Sequence, residues 1–217
     1  MFNYMLLGYA VLHLTILAWT FSWADNKDAK IWILRGMLFG MFYDNLLQGL
    51  GVWFINASWY ESASILRFVL HVTVLPFLTV FTLKILQLGH VEIASKPLFI
   101  SFCWAFTSAA LTYGIYQEVY LLELGPKSAL GVEKLSNLSK IPPIATILTN
   151  ILVMIMAAVL LRVNGWKWLF LGALFIFIVN GATATLTWGF IAGNFAEVVF
   201  ILCLLATTRK FQPIQTS

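Results

Sequence analysis

Apolar residues run along this chain in seven long blocks separated by short polar punctuation. The blocks predict helices over 2–22, 31–54, 64–86, 98–119, 142–163, 166–187 and 189–208. Each is about 20 residues, the length that crosses a hydrocarbon core of roughly 30 Å. "ADNKDAK" follows the first block, "INASWYES" the second, "GHVEIASKP" the third and "NGWK" the fifth. The one long connection, from Tyr120 to Pro143, holds most of the loop charge. Tryptophans fall near block ends (Trp23, Trp32, Trp53, Trp59, Trp166, Trp168, Trp188), where an amphipathic ring prefers the membrane–water interface. The fold class expected is all-α: one seven-helix transmembrane domain over 1–217.

The basic residues set an orientation. Lys27, Lys30, Lys84, Lys96, Arg162, Lys167, Arg209 and Lys210 fall on one side of the seven-helix arrangement; Lys127, Lys134 and Lys140, all in the long connection, fall on the other. The positive-inside rule makes the richer side cytoplasmic, with the N-terminus out and the C-terminus in. The sequons Asn56-Ala-Ser58 and Asn137-Leu-Ser139 both fall on the outer side. The first block has no basic n-region and is too long for a signal peptide, so it reads as the first span.

Composition agrees. The chain has 217 residues, 61% of them hydrophobic and 10% charged, with mean hydropathy +0.89. A soluble domain of this size has too little interior for so much apolar surface. The net charge of +4 arises at helix ends and calls for no nucleic-acid partner. Cys103 and Cys203 sit inside apolar blocks and pack rather than bridge.

Against this background "GMFYDNLLQGLGVWF", residues 40–54, stands out. A carboxylate in hydrocarbon costs several kcal/mol unless it pairs, protonates or lines a cavity. At about 1.5 Å of rise per residue, Asp44, Asn45 and Gln48 fall in the middle to outer half of the second span. Arg67 and His71, one turn apart, fall in the outer third of the third. Tyr113, Tyr116, Gln117 and Glu118 reach the same level, as do Asn150 and Asn180. Glu197 falls mid-span in the last helix, with Asn194 about a turn above. The inner half is almost wholly apolar, which implies one polar pocket closed toward the cytoplasm. Aromatic residues, 16% of the chain, suit a flat apolar ligand or a cation.

Two readings of Asp44 stay open: a structural pair with Arg67, or a functional group. Glu197 has no cationic partner on its own face, and an unpaired carboxyl in hydrocarbon is cheaper as the neutral acid. That favours a proton donor. His13, His71 and His90 show no metal-ligand spacing, no lysine lies deep in a span, and hydrolase or phosphate-binding motifs are absent. For an enzyme, what is left is acid–base chemistry by two carboxylates.

Three features together resemble the small membrane-integral terpene cyclases of fungal meroterpenoid and indole-diterpene pathways and their bacterial relatives. They are the sevenfold layout without a soluble domain, Tyr43-Asp44 in the second span, and Glu197 in the last. "EIASKPL" is similar to the family's Ser-Pro junction before the fourth span. The family pattern has Glu first and Asp second; here they are exchanged, which leaves the donor assignment open. The resemblance implies cyclisation of a prenylated or epoxidised lipid-like substrate, started by a carboxylic acid and needing no metal or other cofactor. It implies Asp44 and Glu197 as catalytic groups. Tyr43, Asn45, Arg67, His71, Tyr113, Tyr116, Asn180 and Trp188 would contact substrate or its oxygen. Partners would be the hydrophobic substrate and membrane lipids. The membrane would be that of the endoplasmic reticulum in a eukaryote, or the inner membrane in a bacterium. A proton-coupled transporter or a lipid-binding receptor is the alternative use of the same pocket.

Overall fold

The computed structural model describes residues 1–23, 28–139 and 141–212. Lys27 and Lys140, two of the residues that set the orientation, lie outside the described residues. The chain is mostly helical. In order come α1 (Phe2–Thr20), α2 (Ala29–Phe54), α3 (Tyr60–Val74), α4 (Leu78–Leu88), α5 (Pro97–Ile115), α6 (Ile144–Asn164), α7 (Trp168–Thr183) and α8 (Gly189–Lys210). Each apolar block of the sequence coincides with a helix or, for the third, with two.

Local chemistry sets the ends. Asp28 caps α2, its Oδ1 accepting from the Lys30 amide at 2.9 Å, which satisfies an orphan donor of the first turn. The third block breaks at a 3-10 turn, Leu75–Phe77, because Pro76 has no amide hydrogen to donate and its ring crowds the preceding turn. α5 starts on Pro97, with Lys96 extended ahead of it, as a residue before proline prefers. α6 stops at Gly165, whose φ of 68° is left-handed. α5 runs on into a single π-helical turn, Tyr116–Tyr120.

Among the described residues, five helical segments are long and apolar enough to cross a membrane by length and composition: Phe2–Thr20, Tyr60–Leu88, Pro97–Tyr120, Ile144–Asn164 and Gly189–Lys210. α7 is apolar but shorter, at 16 residues. The polarity of the bundle is inverted relative to a soluble protein. Val11, Leu14, Phe102, Ile155, Ile178 and Leu202 are exposed, while His13, Asn45, Gln48, Arg67, Glu118 and Asn194 are buried. Such apolar outer faces are compatible with a membrane protein.

Helices in lipid associate through close packing more than through expulsion of water, and small residues permit it. A Cβ on Gly172 of α7 would lie 2.7 Å from the Cys203 Cβ of α8. One on Gly49 of α2 would lie 2.8 Å from Leu7 of α1. Away from the long connection the core is built on Leu34, Leu38, Phe81, Leu86, Leu160 and Leu204, but it also buries Thr20, Lys30, Arg35, Thr207 and Thr208, so the expected apolar inner half is not what forms.

The long connection departs from the all-α expectation. It forms an antiparallel hairpin, β1 (Leu124–Ala129) and β2 (Val132–Asn137), with Ala129 opposite Val132. Leu130 and Gly131 make the two-residue turn with φ of 54° and 76°, the pair of positive angles that matches strand twist. β2 rests on α2 at Gly51, where an added Cβ would come within 1.7 Å of the Glu133 carbonyl oxygen.

Candidate functional site

Asp44 projects from α2 toward α3 and the hairpin. Arg67 Nε donates to Asp44 Oδ1 at 2.8 Å. The Gln48 side-chain amide, one turn along α2, donates to Asp44 Oδ2. Lys134 of β2 donates to Gln48 Oε1. Arg67 Nη1 reaches on to the Leu135 carbonyl at 3.1 Å. The chain of bonds therefore leaves β2 at Lys134 and returns at Leu135, a closed circuit clasping the hairpin to α2 and α3. Charge dictates the orientation of Gln48: a carboxylate only accepts and an ammonium only donates, so the amide must sit as it does. Tyr60 Oη donates to the Leu47 carbonyl at 2.8 Å and Tyr43 Oη to that of Ala63 at 3.1 Å, locking α2 against α3.

Glu197 stands opposite on α8, within the electrostatic field of Asp44, Arg67 and Lys134. Its Oε2 is buried and has no hydrogen-bond partner among the described residues. The two carboxyls thus differ in kind. Both oxygens of Asp44 are engaged, whereas Glu197 has one idle. All of Asp44, Lys134 and Glu197 lie deep among protein atoms. Each nonetheless keeps part of its surface open, 29% in the case of Asp44. Lys134 Nζ lies over an aromatic face, 4.1 Å from the Phe190 ring centroid. Lys134 is outside the helices. Burial first, then the Arg67 cation, push its ammonium down to about 7, against the opposing pull of Asp44 and Glu197.

Two recesses lie elsewhere. One is a cleft by Asp28, Lys84 and Gln87. The other is a narrow crevice, too small for a water, bordered by Pro76, Gly114, Glu118 and Thr146.

The remaining residues singled out in the sequence divide. Asn45 is buried, its Nδ2 donating to the Met41 carbonyl at 2.8 Å and its Oδ1 unpartnered. Asn180 lies against α8: its Oδ1 is 2.8 Å from where a Cβ on Gly193 would stand, one turn before Glu197 on the same face. His71 is exposed and bonds Thr146 Oγ1 at 3.1 Å, to one side of the cluster. Tyr113, Tyr116 and Trp188 are exposed, and Tyr116 stacks on Tyr120 with ring centroids 5.8 Å apart. The structure does not bring these three to Asp44.

Sequence reasoning passed over Lys134 as loop charge and His13 as a lone histidine. His13 of α1 is fully buried, neither ring nitrogen has a partner among the described residues, and it lies within the field of Asp44. Its spacing from Asp44 gives no sign of this, because α1 meets α2 only in the fold. For Lys134 a signal was present: a lysine in a strand-like stretch after a Leu-Gly turn. No group of three or more His, Cys, Asp or Glu able to hold a metal forms among the described residues. Compared with family models, with curated proteins and with solved structures, the chain matches none.

Proposed function

We propose that this chain is an intramembrane cyclase acting on a prenylated, lipid-like substrate, built as seven spans with the N-terminus outside and the C-terminus in the cytoplasm. The membrane would be that of the endoplasmic reticulum in a eukaryote, or the inner membrane in a bacterium. One observation carries the reading. Two carboxyls from different helices lie deep in the protein within one electrostatic field, one fully engaged by Arg67 and Gln48 and the other with an idle oxygen. Similar burial with unlike partners is how a fold separates an acid from a fixed anion.

Glu197 is then the donor. Its proton goes to a terminal epoxide oxygen or alkene carbon of the prenyl chain. The C–O bond opens, or the π bond is consumed, and positive charge appears on a tertiary carbon. Successive alkenes attack that cation and pass it along the folded chain. The Asp44–Arg67 pair holds a fixed negative end toward the cation without surrendering a proton. Aromatic faces such as Phe190 steady it by roughly 0.5–2 kcal/mol each. A base, either Asp44 or the carboxylate left on Glu197, takes the final proton. Exclusion of water keeps the cation from premature capture. Because the hairpin rests on the polar end of the bundle, admitting the chain requires it to lift.

The test is incubation of the protein in lipid vesicles with ω-epoxidised farnesyl and geranylgeranyl aryl ethers, products being resolved by chromatography and mass spectrometry. Wild type should yield a cyclic isomer of unchanged mass. Glu197→Gln should yield none while still inserting and folding, and Asp44→Asn should yield none from the protein that remains folded, at a lowered melting temperature. Full conversion by both variants removes the mechanism.

A further inference from the structure

The geometry points to a binding site for an anionic phospholipid at the seam of α1 and α8, its phosphodiester on Arg209 and Lys210 and an acyl chain against Leu12 and Leu202. The inference rests on the apolar outer faces standing in a bilayer and not on cyclisation, so the two fail separately. Contacts define the end of the bundle concerned. The Arg209 guanidinium lies over Trp19 and Trp23, 4.3 Å and 5.4 Å from their ring centroids, so the C-terminal ends of α8 and α1 stand together. Trp166 Nε1 donates to Thr207 Oγ1 at 3.0 Å, which brings the turn between α6 and α7 to the same level.

Four exposed cations ring this end: Arg162, Lys167, Arg209 and Lys210. The only acidic residue within α1, α6, α7 and α8 is Glu197, about 18 Å along the helix from Arg209. None of the four cations forms an ion pair among the described residues. Lys96 differs, because Glu92, one turn away, takes it at 3.4 Å. Uncompensated positive charge at the rim of an apolar bundle is matched by anionic headgroups. Arg209 is the best prepared of the four. A guanidinium stacked on aromatic faces keeps its in-plane N–H donors for phosphate oxygens, and the two indoles hold it in place. Apolar surface lies directly inward. Leu12 precedes Trp19 by two helical turns and Leu202 precedes Arg209 by two, so each shares its partner's face and both lie about 10 Å deeper. Both leucines are exposed. A phosphate on Arg209 thus has an apolar track beneath it that fits an acyl chain and that a soluble anion would leave unused.

The experiment is a competition read by native mass spectrometry. Full-length protein in detergent micelles receives equal amounts of dioleoyl phosphatidylglycerol and dioleoyl phosphatidylcholine, which share their chains and differ in net charge. The lipid carried with the protein is then counted. Wild type should retain the anionic lipid at least ~10-fold over the zwitterionic one, since each basic residue near a headgroup contributes about 5-fold. Arg209→Gln should cut that preference about 5-fold. Lys210→Gln, at the exposed end of α8, should cut it by a similar factor, and it replaces the first variant if loss of the stack on Trp19 prevents folding. Lys96→Gln removes the same charge and should leave the preference unchanged. Equal retention of the two lipids by wild type overturns the inference. So does an equal loss in Lys96→Gln and Arg209→Gln, which would mark a diffuse field in place of a site. Displacement of the lipid by millimolar glycerol 3-phosphate would give the cations to a soluble phosphate and overturn it too.

Discussion

Arg67 governs the charge balance of the cluster. It bonds Asp44 at 2.8 Å and the hairpin backbone at 3.1 Å, so its loss strands a carboxylate deep in the bundle. Removing one partner of a buried pair costs about 3–5 kcal/mol, whereas removing both costs far less. Arg67→Met should therefore lower the melting temperature in detergent micelles sharply, and the double variant with Asp44→Asn should recover most of the loss. Equal destabilisation in single and double variants would show that the pair is not the structural core of the cluster. This pairing was one of two readings open in the sequence, because Asp44 and Arg67 fall at similar depth on consecutive spans. His13 was not legible: burial without a partner is a property of packing. Because neither ring nitrogen of His13 has a partner among the described residues, His13→Phe should change the melting temperature little. A loss comparable to that of Arg67→Met would tie it to Asp44.

The hairpin is the element that sequence periodicity missed. Strand signals in "LGPKSALGVEKLSN" are masked because the first turn position is Leu130 rather than Asn or Asp, and a non-glycine residue at φ 54° is uncommon. Docking onto α2 depends on the missing side chain of Gly51. Gly51→Ala should push β2 away, seen as faster amide exchange across residues 124–137 with α4, α6 and α7 unaffected. Lys134 adds a pH dependence. Unfolded, the lysine keeps its proton to about 10.5; folded, it releases it at about 7. Between those values the unfolded state binds the extra proton, so stability rises with pH across the window. Melting temperatures measured from pH 7 to 10 should climb more steeply for wild type than for Lys134→Met.

At the scale of the whole molecule, orientation is the property to test. Single cysteines at Ser128 and Lys167 should react with a membrane-impermeant maleimide from opposite faces, position 128 from outside and 167 only after permeabilisation. Cys103 and Cys203 are buried and free and should give little background. Labelling of both from one face would overturn the proposed seven-span topology, and labelling from exchanged faces would reverse its orientation. The positions of the helices were determined by the sequence alone, since long apolar blocks must satisfy their backbone internally and helices do so locally. The expected gathering of polar residues at one end is incomplete, because Lys30 and Arg35 are buried at the other. Only the tertiary structure decided which of those residues meet. It turned Tyr113, Tyr116 and Trp188 outward, set Asn180 beside the Glu197 face, and brought Lys134 from a distant connection onto Gln48. Depth along a helix is written in the spacing of residues, but the facing of helices is fixed by close contacts, such as Gly51 against Glu133, that join segments far apart in the chain.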